Sequence, residues 1–114
     1  MKEIISNLSN RAEFKTFINN CTNNYVIVKA SATWCGPCKR AAPFVKEMFA
    51  NLPSGVSMVE VDLDAHEDLA TYLRIRKVPT LISYVKGQRT DEFQSSQPED
   101  IKMFFDKVRT HMMF

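Results

Sequence analysis

The sequence predicts a single-domain α/β fold in which four helices flank a central, mixed sheet of five strands. Short β-branched and apolar runs alternate along the chain with longer segments whose apolar residues recur at helical spacing. Such alternation is typical of a largely parallel sheet covered by helices. The dipeptide Lys86-Gly87 suits a hairpin turn between the last two strands, so the final strand is expected to be antiparallel. The length of 114 residues is typical of one domain.

The boundaries of the predicted elements follow from hydrophobic periodicity and from capping residues. The predicted strands cover residues 3–5, 25–30, 56–63, 81–85 and 89–93. The predicted helices cover residues 10–20, 35–52, 66–73 and the segment that follows Ser96. Asn10 and Glu13 are expected to form a capping box at the first helix, and Ser96 and Glu99 to form one at the last. Pro43 lies inside the second helix and is expected to kink it.

Composition and charge exclude several classes of protein. Eight Phe, three Tyr and one Trp are too many for a disordered chain. Fifteen basic and thirteen acidic side chains give a formal charge of +2, which is too balanced to indicate nucleic acid or a membrane surface as partner. No apolar run exceeds five residues, which is too short for a membrane span or a secretory signal. We therefore expect a cytoplasmic protein.

Two of the three cysteines, Cys35 and Cys38, lie three residues apart where a predicted strand ends and a helix begins. Unpaired backbone N–H groups and the positive end of the helix dipole would lower the pKa of the Cys35 thiol toward ambient pH. Cys38 lies one helical turn further on, so its sulfur can reach Cys35 and resolve a mixed disulfide. Pro37 suits the first helical turn because it lacks an N–H group. The arrangement favours thiol-disulfide chemistry.

A cysteine pair with this spacing is compatible with two other interpretations. Half of a zinc site looks the same, but zinc requires two further ligands at suitable spacing. The other candidate ligands are Cys21, His66 and His111, and none of them pairs with another in the sequence. An inert pair of core cysteines is also possible, although the N-terminus of a helix is usually partly exposed. No bound metal is expected.

Five segments together resemble a known family. They are residues 32–39 (Ala-Thr-Trp-Cys-Gly-Pro-Cys-Lys), Pro43, residues 59–64, residues 78–80 (Val-Pro-Thr) and Lys86-Gly87. In that order they resemble the active-site segment, the helix-kinking proline, the third strand, the cis-proline segment and the hairpin turn of the thioredoxin family. The resemblance covers nearly the whole chain, and its motifs are specific in combination. It implies the thioredoxin fold.

The resemblance implies a protein-disulfide reductase. Cys35 would be the attacking thiolate and Cys38 the resolving thiol, with a reversible disulfide between them and no bound cofactor. Electrons would come from NADPH through a flavoprotein, thioredoxin reductase. The substrates would be disulfides of client proteins, and the protein would act as a monomer.

The residues that would contact clients surround the dithiol. Pro79 would be cis, and the backbone of Val78 would pair with an extended client segment as an added strand does. Trp34 would pack beside the dithiol and offer contact area. The set implied by the resemblance is Trp34, Gly36, Pro37, Val78, Pro79, Thr80 and Ser95.

The sequence departs from the family pattern at three places. Lys29 stands six residues before Cys35, where the family usually has a buried Asp. Ala30 stands where the family usually has Phe, so either another side chain fills that core volume or it stays empty. Ser95 or Ser96 replaces a glycine in the loop next to the dithiol surface, which is expected to alter the choice of partners.

Lys29 lies in a strand that is otherwise predicted to be buried on both faces, so its ammonium group requires a partner. The expected partner is Glu60 on the neighbouring strand. One hypothesis is that Glu60 accepts the proton of Cys38, directly or through water, while Lys29 favours the thiolate and so raises the reduction potential. The other is that Lys29 extends to solvent at the end of the sheet and has no redox role.

Two other functions are compatible with the same residues. An oxidase or isomerase would run thiol exchange in the opposite direction; the Gly-Pro dipeptide and the lack of a predicted secretory signal argue against it, whereas Lys29 slightly favours it. A binding or scaffold module would use the same fold without exchange. Modules of that kind commonly lose a cysteine, and this chain keeps both.

Overall fold

The computed structural model describes residues 2–21 and 25–114. Its strands are β1 (Glu3–Ile5), β2 (Tyr25–Ser31), β3 (Val56–Asp62), β4 (Thr80–Val85) and β5 (Gln88–Gln94). Its helices are α1 (Arg11–Asn20), α2 (Gly36–Ala50), α3 (Glu67–Tyr72) and α4 (Pro98–Met113). The predicted order of elements is confirmed, and the predicted bounds differ by one or two residues at most ends. None of the helices in these ranges has the length and apolar character that crossing a membrane requires.

The five strands form one mixed sheet in the order β1-β3-β2-β4-β5. β3 pairs in parallel with both β1 and β2, whereas β4 is antiparallel to β2 and β5 is antiparallel to β4. A two-residue turn joins β4 to β5, with φ of 51° at Lys86 and 81° at Gly87. Two positive φ values match the right-handed twist of a hairpin, which explains the glycine at the second position. The predicted antiparallel final strand is confirmed.

Helix starts follow the predicted chemistry in part at α1 and not at α4. At α1 the Glu13 carboxylate accepts the N–H of Ser9 and not that of Asn10, so half of the expected capping box forms. Asn10 is the N-cap of α1, and its side chain accepts the N–H of Glu13 at 2.9 Å. The expected capping box of Ser96 and Glu99 is wrong, because Gln97 is the N-cap of α4 and makes no side-chain cap bond. Pro98 occupies the first helical position, where proline is favoured, and this places the cap at residue 97 rather than 96.

The helices divide the core into two faces. On the α1/α3 face, Phe14 of α1 and Leu69 of α3 pack in one buried cluster with side chains of the central strands. On the α2/α4 face, Phe49 of α2 and Phe105 of α4 pack in another cluster with Ile27, Met58 and Leu81. Successive residues of β2 point to opposite faces because side chains alternate along a strand.

Lys29 and Ala30 therefore lie back to back in β2. Ala30 is fully buried within the cluster of the α1/α3 face, where it lies in one cluster with Phe14 and Tyr84. Lys29 is half-buried on the α2/α4 face, beside residues of α2. Position 30, where the family usually has the larger Phe, is thus closed to solvent.

Candidate active site

The cysteine pair lies where β2 ends and α2 begins. Cys35 and Cys38 form a small buried cluster with Ala32, against which Leu63 and Val78 pack. Cys35 is the N-cap of α2, so this helix begins at Gly36 and not at Cys35 as predicted. Pro37 lies in the first helical turn, where its missing N–H group leaves no hydrogen bond unmade.

Cys35 and Cys38 are joined by a disulfide, with their Cα atoms 5.3 Å apart. The backbone N–H of Cys38 donates to the Sγ atom of Cys35 at 3.1 Å. A donor held at this distance and the positive end of the α2 dipole both stabilise negative charge on that sulfur. The geometry therefore favours Cys35 as the thiolate once the disulfide is reduced.

The Val78-Pro79 segment lies on the other side of the Cys35 sulfur. The Val78-Pro79 peptide bond is cis. The Sγ atom of Cys35 is 3.9 Å from the carbonyl oxygen of Val78. Thr80 begins β4 as a buried residue, and its hydroxyl donates to the carbonyl oxygen of Lys77. Residues separated by more than forty positions are thus brought together at the disulfide.

Trp34 lies on the surface next to the disulfide. Its side chain is 65% exposed, and its indole N–H donates to Asp64 at 2.9 Å. Asp62 accepts the N–H groups of Asp64 and Ala65 and so stabilises the turn after β3. The Trp34–Asp64 hydrogen bond was not predicted, because it joins two loops that only the fold brings together. The exposed ring leaves a flat apolar surface at the edge of the site.

Lys29 and Glu60 are direct neighbours in the register of β2 and β3. The Nζ atom of Lys29 lies 3.6 Å from Oε2 of Glu60. Their side chains are 16% and 39% exposed, respectively. Ser6 donates to the other carboxylate oxygen of Glu60 at 2.6 Å. The two residues form an ion pair that is partly open to water.

Ser95 takes part in the start of α4. Its hydroxyl oxygen accepts the N–H of Gln97 at 3.0 Å, and the hydroxyl donates to Asp100 at 2.8 Å. These contacts lie in the turn that precedes α4 and do not cap the helix, because Gln97, and not either serine, is its N-cap. Pro98 was the signal in the sequence that could have placed the cap at residue 97, because proline is favoured at the first helical position. The expected contact of Ser95 with clients stays a prediction.

The remaining cysteine and the two histidines lie apart from the disulfide. Cys21 is the C-cap of α1 and packs, half-buried, against the α1/α3 face. His66 is the N-cap of α3, and its Nδ1 atom accepts the N–H of Asp62. The carbonyl of His111, near the end of α4, accepts the hydroxyl of Tyr25. Within residues 2–21 and 25–114, no three metal-ligating side chains come together.

The sequence of the chain matches a known protein family over most of its length. The family model described as Thioredoxin matches residues 6–107 of the chain. Thioredoxin of Equus caballus is 32% identical over 99 residues, which are 87% of this chain and 93% of the relative.

Solved structures show the same similarity. The oxidised form of mitochondrial thioredoxin 3 from Saccharomyces cerevisiae superposes with a TM-score of 0.79 at 27% identity, covering 91% of this chain and 94% of that one. A structure from work on thiol resolution in yeast mitochondrial 1-Cys peroxiredoxin via glutathione and thioredoxin systems gives a TM-score of 0.80 at 26% identity, covering 91% and 94%. The likeness thus extends over most of the chain and includes the segments around the cysteine pair.

Proposed function

The chain belongs to the thioredoxin family, and from this we propose that Cys35 is the attacking thiolate and Cys38 the resolving thiol. The protein is a thiol-disulfide oxidoreductase that carries no bound cofactor and uses a redox-active disulfide. The observation that supports the assignment is the N–H of Cys38, which donates to the sulfur of Cys35 at the start of α2. A sulfur held there is the one whose anion is stabilised.

The proposed exchange has two steps. The Cys35 thiolate attacks one sulfur of a client disulfide, forms a mixed disulfide and releases the other client sulfur as a thiolate, which takes up a proton. Cys38 then loses its proton and attacks the sulfur of Cys35, which releases the second client thiol and closes the Cys35–Cys38 disulfide. The client gains two electrons and two protons. The cysteine pair supplies both electrons and the proton of Cys38, and solvent supplies the other proton because Cys35 starts as the thiolate.

We propose that the client segment lies along Val78 and over the exposed ring of Trp34. The carbonyl of Val78 is close to the Cys35 sulfur, so a backbone pairing there would bring a client disulfide to the nucleophile. Gly36, Pro37 and Pro79 would complete this surface, whereas the side chain of Thr80 is buried and is not open to a client. Trp34 offers a rigid apolar contact of the kind that is frequent in interfaces.

Trapping variants test the assignment of the two cysteines. Cys38→Ser leaves the attacking thiolate without a resolving partner, so it should accumulate mixed disulfides with clients in a cell extract. Cys35→Ser is the matched control and should accumulate none. Equal capture of the same proteins by both variants would instead indicate a binding or scaffold module.

We further propose that the oxidised protein is reduced by a flavoprotein thioredoxin reductase that takes electrons from NADPH. Oxidation of NADPH should then require both this chain and a client disulfide in a mixture with such a reductase. Proteins oxidised by peroxide are one client class, since a structural relative comes from work on a mitochondrial 1-Cys peroxiredoxin. A mixture that consumes no NADPH would contradict this partner.

Cytoplasmic location and a monomeric state complete the proposal. Imaging of the full chain carrying a small C-terminal tag should show it in the cytoplasm, and mitochondrial signal would contradict the proposed location. Sedimentation of the reduced protein should give the mass of one chain.

Glu60 is proposed as the proton acceptor for Cys38, directly or through water. Its carboxylate is paired with Lys29 and remains partly open to water, which would carry the proton away. Glu60→Gln keeps the shape of the side chain and removes its basicity, so the rate of mixed-disulfide resolution should fall and its pH dependence should change. Glu47→Gln, on the exposed surface of α2, is the control. An unchanged resolution rate in Glu60→Gln would leave Lys29 and Glu60 as a solvated ion pair without a redox role.

A further inference from the structure

A cleft of about 550 Å³ opens between α2 and the edge of the sheet formed by β1 and β3. Its helical wall comes from Lys39, Ala42, Pro43, Val45 and Lys46. From the sheet, Ile4 and Met58 contribute apolar lining, and Lys29 and Glu60 contribute charged lining. The volume is in the range of about 300–1,000 Å³ that is typical of small-molecule sites. The client surface around Val78 and Trp34 does not include these lining residues.

The charges in this cleft are unbalanced. Three lysines and one glutamate line it, which gives a formal charge of +2. Lys39 and Lys46 are exposed, and within the part of the chain that the structure describes no carboxylate lies within 4.0 Å of either ammonium group. An anion that enters the cleft therefore meets several cations and only one carboxylate.

Lys29 itself has unused capacity for hydrogen bonding. Its ammonium group carries three donors. Among the described residues its charged partner is Glu60 at 3.6 Å, which is longer than the roughly 2.7–2.9 Å of a charge-assisted hydrogen bond. Ser6 binds the other oxygen of that carboxylate. A second anion could thus bind Lys29 without displacing a short hydrogen bond.

The uncharged lining of the cleft determines the chemistry of the part of a ligand that does not contact the lysines. Ile4 is 43% exposed although it is large and apolar, whereas Met58 and Val45 are buried. The accessible aliphatic surface is therefore that of Ile4, Ala42 and Pro43. Such a surface gains free energy by covering a flexible acyl chain, and a charged head would then reach the lysines.

We propose that this cleft binds a small amphipathic anion, with a carboxylate or phosphate head on Lys29, Lys39 and Lys46 and an acyl chain over Ile4, Ala42 and Pro43. The inference does not depend on the roles proposed for the two cysteines. The carboxylate and phosphate forms share the chemistry that the lysines recognise, so probes of both kinds separate the two sources.

The test uses the full oxidised protein and titrates octanoate, octyl phosphate and 1-octanol, each below its aggregation threshold. Backbone amide shifts of Ile4, Ala42 and Met58 should move saturably with one or both anions. The neutral alcohol should bind at least tenfold more weakly, a difference of about 1.4 kcal/mol. The stronger of the two anions identifies the head group. Equal binding of the alcohol, or shifts that do not saturate, would overturn the proposal.

Two independent changes locate the binding. Lys46→Met removes an exposed cation and keeps an apolar stem, and it should weaken anion binding several-fold. Ala42→Leu fills the cleft while leaving every charge in place, and it should weaken binding at least tenfold. Lys102→Met removes the same charge from the surface of α4, where Lys102 pairs with Asp106, and should leave the affinity unchanged. Unchanged affinity in both cleft variants would place the anion elsewhere and overturn the proposal.

Discussion

The two faces of the sheet give neighbouring residues of β2 opposite surroundings. On the α1/α3 face, Ala30 is closed off from solvent in an apolar cluster. On the α2/α4 face, Lys29 lies one residue earlier and lines a charged cleft. The same face also carries the buried apolar cluster that contains Phe105. One strand thus borders a buried apolar core on one side and a partly exposed ion pair on the other.

The difference between the two faces shows where a charged side chain can lie in the central sheet. A lysine is accepted at position 29 because the end of the α2/α4 face is open, so the ammonium group keeps both water and a carboxylate. Burial without these partners would cost several kcal/mol. Position 30 has no access to solvent, and apolar side chains surround it. The two departures from the family pattern are therefore different physical problems, although they are adjacent in sequence.

The largest expected effect tests whether the cleft weakens the core of its own face. Phe14 on one face and Phe105 on the other are both buried and in edge-to-face contact with a second ring, at 5.5 Å and 5.4 Å between centroids. Phe14→Ala and Phe105→Ala should each lower the free energy of unfolding by about 3–5 kcal/mol in urea titrations. Phe114→Ala is the control, because this ring is almost fully exposed. A much smaller loss at Phe105 would mean that the α2/α4 core is already loosened.

A smaller effect is expected at the two adjacent positions of β2. Ala30→Phe introduces the usual family residue into a cluster that is already closed, so it should lower the free energy of unfolding by about 1–3 kcal/mol. Lys29→Met removes a partly exposed ion pair and should change it by no more than about 1 kcal/mol. Stabilisation by Ala30→Phe would reveal unfilled space on the α1/α3 face and would weaken the contrast between the faces.

A redox measurement tests whether Lys29 acts on the cysteine pair across the end of the α2/α4 face. If its cation favours the thiolate of the reduced form, Lys29→Met should lower the reduction potential, by about 30 mV for an effect of 1.4 kcal/mol. Trp34 is the only tryptophan and follows the titration by fluorescence. Lys102→Met is the control. An unchanged potential in Lys29→Met would limit the role of this lysine to the cleft.

The absolute potential of the unmodified protein, from the same titration, addresses the direction of exchange. A value near the −270 mV or so of thioredoxin supports a reductase. A value close to that of the oxidant DsbA, about −120 mV, would favour the oxidase or isomerase direction.

Local chemistry was sufficient to predict most of the fold and the centre of the site. The capping of α1 by Asn10 depends on residues three positions apart, and the hairpin turn at Lys86-Gly87 depends on two adjacent residues. The pairing of Lys29 with Glu60 required only an alignment to a known sheet register.

Features that depend on distant segments could not be predicted in the same way. The hydrogen bond from Trp34 to Asp64 joins two loops, and the cleft requires the edge strand with Ile4 to face α2. The cap of α4 was misassigned for a different reason. Ser96 has the side chain of a typical N-cap, but Pro98 takes the first helical position and so makes Gln97 the cap.

The smallest predicted effect concerns Tyr84, whose side chain is buried in the apolar cluster of the α1/α3 face. Burial raises the pKa of Tyr84, and the nearby guanidinium of Arg89 offsets part of that increase. The folded protein therefore holds this proton more tightly than the unfolded chain, in which tyrosine has a pKa of about 10. The stabilisation is fully present below that pH and is lost as the pH rises through the pKa of the folded state.

Tyr84→Phe removes this ionisation and keeps the ring in edge-to-face contact with Phe14. Urea unfolding at a series of pH values should therefore show a less steep loss of stability above about pH 10 for Tyr84→Phe than for the unmodified protein. Below pH 8 the two proteins should show the same slope, which serves as an internal control. Identical slopes above pH 10 would mean that the phenol is hydrated when ionised. The α1/α3 face would then admit water at Tyr84 much as the α2/α4 face does at Lys29, and the contrast between the faces would be limited to the surroundings of Ala30.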